Sequence, residues 1–415
     1  MCDYPTKSLS GAGMVWKFCC YLDELLEKNV AYDFIDLAAL GILGDMMSLR
    51  DYETVEIVRR GFNSVRYPFF KEMSKVQSYS ITRHGGLNPY TVAFYIVPQI
   101  NGAIRVGSPE EKLLLFESML DFKAYELIPS TKRGAKGTFE TRVEQACRMC
   151  TNTKRHQTNF VDDNQAMIED IIQEKHLTDN KIIAVKLDEN HQINRNLTGL
   201  MANRLMGEYQ HPILLLTKVT HEDGSITWEG SGRGYVTSDF SDLKAFLNDS
   251  GLVEMAQGHP NAFGVAIRDD KFEELIKYSN EALAQYNFKP AHIVDFIWHN
   301  GEMRSQDVLS IAALKSIWGQ DMPEPKIACK VSIKTSDIEL MSRDKNPTLK
   351  FKLSNGTSMI KFKSSEEEYE QLVSNSESVI IEAVGTCAIN EYGGNISPQI
   401  LIEEYEIVGK LESYF

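Results

Sequence analysis

Long apolar runs are missing from this chain, and with them any segment able to cross a bilayer as a helix. A basic start followed by an apolar stretch is missing too, so the opening "MCDYPTKSLSGAGMVWKFCC" is no signal peptide. Cysteine is sparse: the seven residues are scattered and odd in number, which excludes a disulfide framework and fits the reduced thiols of a cytoplasm. One close pair, Cys147 and Cys150 in "QACRMCTN", lacks the second pair or neighbouring histidines that a zinc site needs, and reads as two thiols on one helical face. Positive charge is in deficit. Lys plus Arg number 44 against 58 Asp plus Glu, a net charge of -14. That excludes a generally basic nucleic-acid coat and leaves local basic patches open.

What is there is an ordinary globular mixture, 43% hydrophobic and 25% charged over 415 residues. A length of this kind holds about two to four domains. The first 125 residues read as mostly helical. "WKFCCYLDELLEKN" has apolar residues near helical spacing, and "SPEEKLLLFESMLDF" opens with a serine cap, a first-turn proline and two acids. Between them "TVAFYIVPQINGAIRVG" reads as a β-branched and aromatic strand broken by Pro98 and Gly102. Residues 138–178 are polar and free of helix breakers over most of their length, as a long connector helix would be.

After residue 180 the order changes to strand ("KIIAVKL"), helix ("NLTGLMANRLMGEY") and strand ("PILLLTKVT"), the signature of an α/β domain. "HEDGS" is a hairpin turn into "ITWEGSGRGYV". "GQDMPEPK" punctuates the chain near 320, and everything beyond reads as β. In "LKFKLSNGTSMIKFK" an Asn355-Gly356 type I′ turn sets Leu349, Phe351, Leu353, Ile360 and Phe362 on one face. Lys350, Lys352, Lys361 and Lys363 share the other, with Lys350 opposite Lys361, a pairing that invites an anion. A small antiparallel barrel of the oligonucleotide-binding (OB) type is the natural candidate.

Four stretches carry chemistry. Asp45 closes the apolar run "FIDLAALGILGD", where a carboxylate serves as a hard-metal ligand, a cap or a buried hydrogen-bonded group. Asn101 and Arg105 in "PQINGAIRVG" stand four apart; on a helix they point the same way, a neutral donor beside a guanidinium fork for phosphate, or else a loop amide and a surface arginine. "EGSGRGY" sets Ser231 and Arg233 among Gly230, Gly232 and Gly234, either a backbone cradle for an anion or a glycine-rich turn. "GHPNAFG" flanks His259 with Gly258, fit for a phosphate or terminal group, or a histidine closing a turn.

Together and in order, these stretches resemble the RecJ-type single-strand-specific exonucleases of the DHH phosphoesterase superfamily, over essentially the whole chain. "YPTKSLSGAGMVWKF" is similar to the family's segment after its Asp-His-His motif, and "ALGILGDMMSL" to its fourth motif, whose Asp ligates metal. "PQINGAIRVG" resembles the Pro-Arg-Ile-Asn-Ala stretch. "NLTGLMANRL", "GSGRGY" and "GHPNAFG" resemble signatures of the DHH-associated domain, and "WGQDMPEPK" the approach to the OB barrel. Departures are Gln257 for a glycine, Gly234 for a serine, Gln99 for an arginine and Asn196 for a glycine, as in a divergent, phage-type branch. No Asp-His-His tripeptide occurs, and the three earlier metal motifs have no counterpart.

The resemblance implies an α/β multidomain chain: residues 1–137 the C-terminal, mostly helical part of a DHH domain, 138–178 the connector helix, 179–320 the DHH-associated domain and 321–415 the OB-like barrel. It implies two-metal (Mn²⁺ or Mg²⁺) hydrolysis of single-stranded DNA from the 5′ end, in DNA repair and recombination. Asp45 is then the one retained metal ligand. Asn101 and Arg105 hold phosphates near the scissile bond. Arg233 and His259, with Ser231, Gly232 and Gly258, grip the terminal nucleotide, and the lysine face of the barrel tracks the strand. The missing ligands are expected before Met1 or on a separate polypeptide, the chain being a fragment or subunit, otherwise monomeric, in a bacterial or phage-infected cytoplasm. Two alternatives stand beside this: a non-catalytic single-strand-binding scaffold, and a small oligonucleotide or nucleotide phosphodiesterase.

Overall fold

The computed structural model describes residues 4–189, 191, 193–235, 240–288, 292–299, 301–342 and 346–411. The chain divides into two compact units. One comprises residues 1–98, 117–147 and 292–415, the other 99–116 and 148–291.

The second unit is a three-layer α/β/α sandwich. Its sheet runs, in spatial order, Ile183–Leu187, Ile213–Thr220, Ile226–Arg233, Ala262–Arg268 and Met255–His259. The first pair is parallel and joined by the helix Thr198–Tyr209; every other pair is antiparallel. Alternation sorts the strands between two cores. Ile183, Val185, Leu187, Ile213 and Leu215 pack with Met201, Ala202 and Leu205 of that helix and with Ile168 and Ile172. Ile182, Ala184, Leu214, Leu216 and Phe263 pack on the other face, with Leu243, Leu247, Phe272 and Leu275 of the helices Leu243–Asp249 and Asp269–Ala282. "HEDGS" forms the expected turn, with the His221 amide donating to Ser225 and Gly224 at φ +82°. The connector is a helix over Arg142–Glu174, and Cys147 and Cys150 are both buried in it.

In the first unit the N-terminal helices Gly11–Leu26, Ile35–Gly44 and Tyr52–Asn63 precede a chain of short ones. The stretch expected as a strand around 91–107 is helical: a π-helical turn at Val92–Ile96 runs into an α-helix at Val97–Val106. Pro98 follows directly on the π-turn, so its missing N–H falls where the helix changes type within a continuous helical run and not inside a strand. Beyond lies a two-stranded ribbon, Leu127–Pro129 with Phe139–Thr141.

The C-terminal part is a sheet ordered Ile338–Met341, Thr348–Lys352, Ser358–Phe362, Asn395–Leu411, Ser378–Tyr392, Lys326–Lys334 and Phe296–Trp298. A meander, a parallel pair between its third strand and the last one, and a first strand that turns at Thr335–Asp337 to pair at both ends are the marks of an OB barrel. Two expectations change. The sheet reaches back to Phe296, and Met303, Val308 and Ala312 join its core, so the boundary lies at residue 292 and not at 321. The region is also not all β: Glu366–Val373 is a helix with a Ser365/Glu368 capping box.

Candidate phosphate site and metal ligands

Three cations converge in the second unit. Gly102, from the helix Val97–Val106, lies against the backbone of Lys154 on the long helix; a Cβ there would stand 3.3 Å from the Lys154 Cα. This close crossing sets Arg105, one turn on from Gly102, beside Lys154. Arg105 is also the electrostatic neighbour of Arg233. Burial, then the Arg105 charge, pushes the Lys154 ammonium below its ordinary value, and the same two causes in the same order lower Arg233. None of the three has a carboxylate partner among the described residues. Arg195 nearby, by contrast, is neutralised by Glu229.

Arg233 lies over the start of the helix Thr198–Tyr209. Its Nη1 donates to the Gly232 carbonyl at 2.7 Å. A Cβ on Gly199 would come within 2.6 Å of its Nη2, so Gly199 clears the space for the guanidinium. Ser231 shares the face with Arg233, and its hydroxyl bonds the buried Thr198 hydroxyl at 2.9 Å. Asn196 fixes the approach from the other side, donating through Nδ2 to the Arg105 carbonyl at 3.2 Å. Lys154 Nζ donates to Gln157 Oε1 at 2.9 Å, and the buried Gln157 Nε2 has no acceptor. Asn101, half-buried, makes no side-chain hydrogen bond among the described residues. Arg105 is exposed, and Lys154 and Arg233 are part-buried. Three cations without a carboxylate and a buried amide without an acceptor form a cluster of the kind an anion would satisfy.

His259 belongs to the same sheet face by register. It pairs with Ala262, which pairs with Arg233, two strand spacings or roughly 10 Å across. The imidazole is exposed, and Gly258 before it holds φ +137° with the Ala262 carbonyl 2.8 Å from where a Cβ would be. The expected glycine cradle is overturned. Gly230 and Gly232 lie inside a strand paired on both sides, so their amides are committed to the ladder. Gly232 lies beneath the Phe263 ring, and Gly230 against the Leu215 carbonyl. These glycines serve close packing, and Gly232 faces away from Ser231 and Arg233.

Asp45 lies in the first unit. It terminates the helix Ile35–Gly44 with φ -92° and ψ 7°, and its carboxylate is exposed with no partner among the described residues. The buried carboxylate of that helix is Asp36, fully enclosed and accepting from the amides of Leu37, Arg66 and Tyr67 at 2.7–2.8 Å. Among the described residues no three His, Cys, Asp or Glu side chains gather closely enough to hold a metal ion. The residues present therefore do not fit a complete two-metal centre.

The lysine face of the barrel is also corrected. Leu353 donates to Thr357 and Gly356 takes φ +85°, so the loop has three residues and not two. Asn355 is drawn to the Met303 carbonyl at 2.8 Å, which favours the longer turn. The register shifts by one: Lys361 stands opposite Leu349, and Lys350 opposite Ile360. Lys361 thus leaves the face of Lys350 and Lys352, Lys363 lies beyond the strand, and Lys352 is paired with Glu339 at 2.5 Å.

A three-layer α/β unit carrying a basic cluster, in a chain whose C-terminal part is an OB barrel, defines a class of nucleic-acid-handling architecture. Residues 295–404 match the family described as the RecJ OB domain. A protein of Bacillus subtilis (strain 168) named SPbeta prophage-derived single-strand DNA-specific exonuclease YorK is 36% identical over 409 residues, 98% of this chain and 70% of that protein. The single-stranded-DNA-specific exonuclease RecJ of the same organism is 23% identical, over 97% of this chain and 47% of its own length. RecJ from Thermus thermophilus, solved with Mn²⁺, superposes with a TM-score of 0.70 at 17% identity, covering 99% of this chain and 55% of that one. The chain belongs to the RecJ family. It spans about half the length of the cellular RecJ proteins it matches.

Proposed function

We propose that this chain is the phosphate-gripping and strand-binding part of a RecJ-type, single-strand-specific 5′ to 3′ exonuclease. The observation that carries this is the uncompensated cluster of Arg105, Lys154 and Arg233. Phosphates of a single DNA strand supply the counter-charge that the protein does not, with Asn101, Ser231 and the Gln157 amide as neutral partners and His259 at the edge. The relatives named as single-strand-specific exonucleases support the choice of polymer. Mn²⁺ or Mg²⁺ would supply hydrolysis, with Asp45 as one ligand and the remaining aspartates and histidine on another polypeptide segment. The first helix offers a seat for such a segment: Met14, Val15, Phe18, Tyr21, Leu22 and Leu25 stand exposed along it, an apolar stripe that monomer surfaces rarely leave bare.

The absence of a metal-holding cluster among the described residues favours one second reading, a single-strand-binding scaffold without catalysis. Both are tested by fluorescence anisotropy and product release on 5′-labelled single-stranded DNA with Mn²⁺. The chain alone is expected to bind single strands in preference to duplex and to release no nucleotides. Arg105→Gln and Arg233→Gln should each weaken binding by about 10- to 100-fold, the scale of a missing charged hydrogen bond. Co-expression with a polypeptide carrying an Asp-His-His segment should restore turnover that Asp45→Ala abolishes. Turnover by the chain alone would refute the shared centre; binding without turnover in the complex would establish the scaffold.

A further inference from the structure

The ribbon Leu127–Pro129/Phe139–Thr141 and its loop have no part in the site above, yet they are built with care. The loop, residues 130–137, reads Ser-Thr-Lys-Arg-Gly-Ala-Lys-Gly: three cations and no acid in a chain of net charge -14. It is folded as two successive turns, with the Ala135 amide donating to Lys132 at 3.1 Å and the Thr138 amide to Ala135 at 3.1 Å. Gly134 and Gly137 take the left-handed conformations these turns require, at φ +82° and +84°. A buried carboxylate braces the loop from within. Glu140 Oε1 accepts from the Ser130 hydroxyl at 3.0 Å, the Thr131 amide at 3.2 Å and Gln145 Nε2 at 3.0 Å. Its other oxygen holds Lys132 at 3.4 Å.

That bracing leaves Arg133 and Lys136 exposed and without a carboxylate partner among the described residues. Register puts Leu127, Pro129, Phe139 and Thr141 on the ribbon face opposite Glu140. On that face Leu127 is 68% exposed and Phe139 63%. A hydrogen-bonded loop with two cations free of carboxylates, leading into a strand with an exposed aromatic ring, matches a polyanion that also has flat apolar faces. A single nucleic-acid strand has both: phosphates for the cations and unpaired bases for the ring. A duplex hides its base faces, and a folded acidic protein offers no repeated stacking partner.

We propose that this ribbon is an auxiliary single-strand contact, with Arg133 and Lys136 on the phosphates and Phe139 stacked on a base. The proposal rests on the single-strand reading above and adds a second, separate surface to it. Its test is anisotropy of a fluorescent single-stranded oligonucleotide at several salt concentrations. Arg133→Gln with Lys136→Gln should flatten the slope of log affinity against log salt by about 1.4, or about 0.7 for each phosphate no longer neutralised. Phe139→Ala should weaken binding about 5- to 100-fold with the slope unchanged, and Phe139→Trp should restore it. All these side chains are exposed, so circular dichroism should show unaltered folding.

If wild type binds and these variants bind identically, the ribbon proposal is wrong and the wider reading stands. If wild type fails to bind single strands at every salt, both fall. Weakened binding of these variants to phosphatidylserine–phosphatidylcholine vesicles, with strand binding intact, would make the ribbon a membrane contact and overturn the proposal.

Discussion

Lys154 is where electrostatics and binding meet at the level of one residue. Burial and Arg105 lower its proton affinity, so the free protein loses this charge sooner on raising the pH than an ordinary lysine at 10.5. A bound phosphate would hold the proton on. Affinity for single-stranded DNA should therefore fall as pH rises from neutral toward the ordinary lysine value, through the titration of Lys154. Lys154→Arg stays charged and should bind with a flat profile over the same range, measured by anisotropy in buffers of constant ionic strength. A wild-type profile as flat as that of Lys154→Arg would remove Lys154 from the site. Arg105 and Arg233 are legible in the sequence because they sit in short motifs of unusual composition. Lys154 is not: it is one polar residue in a long polar helix, and only the Gly102 crossing reveals it. The glycines around Arg233 mislead for the converse reason, since close packing and anion cradling use the same residue.

Among the elements, those with a clean period are legible and those decided by one residue of loop length are not. The strands after 180 and the helix Thr198–Tyr209 follow alternation and helical spacing and lie where expected. The hairpin at 349–362 shows the limit: Asn-Gly signals a turn, but its interaction with Met303 sets the length, and one added residue moves Lys361 to the opposite face. The helix Glu366–Val373 sits in a region that otherwise reads as β, although its capping box is written in the sequence. Ser365 accepts from the Glu368 amide at 3.1 Å, and Glu368 accepts from the Ser365 amide at 3.0 Å. Ser365→Ala should cost about 1 kcal/mol in urea denaturation, the usual value of an N-cap. A stability unchanged by that substitution would show that barrel packing at Leu372 alone holds the helix.

For the whole molecule the decisive quantity is charge. A chain of net charge -14 repels DNA at long range, so binding must come from local clusters and must be sensitive to salt. On the proposed reading, Arg105, Lys154 and Arg233 would account for three phosphates and the ribbon for two, about 0.7 of slope each on a single strand. The wild-type slope of log affinity against log salt should then be about -3.5, a weakening of roughly 100-fold between 50 and 200 mM salt. A variant lacking Arg105 and Arg233 should fall to about -2.1, and one lacking Arg133 and Lys136 as well to about -0.7. The comparison also tells whether one strand serves both surfaces. On a short oligonucleotide that can reach only one cluster, removing the other should leave the slope unchanged; on a longer strand the two effects should add. Additivity on both lengths would mean that the clusters act through the general field of the protein and not by pairing with individual phosphates.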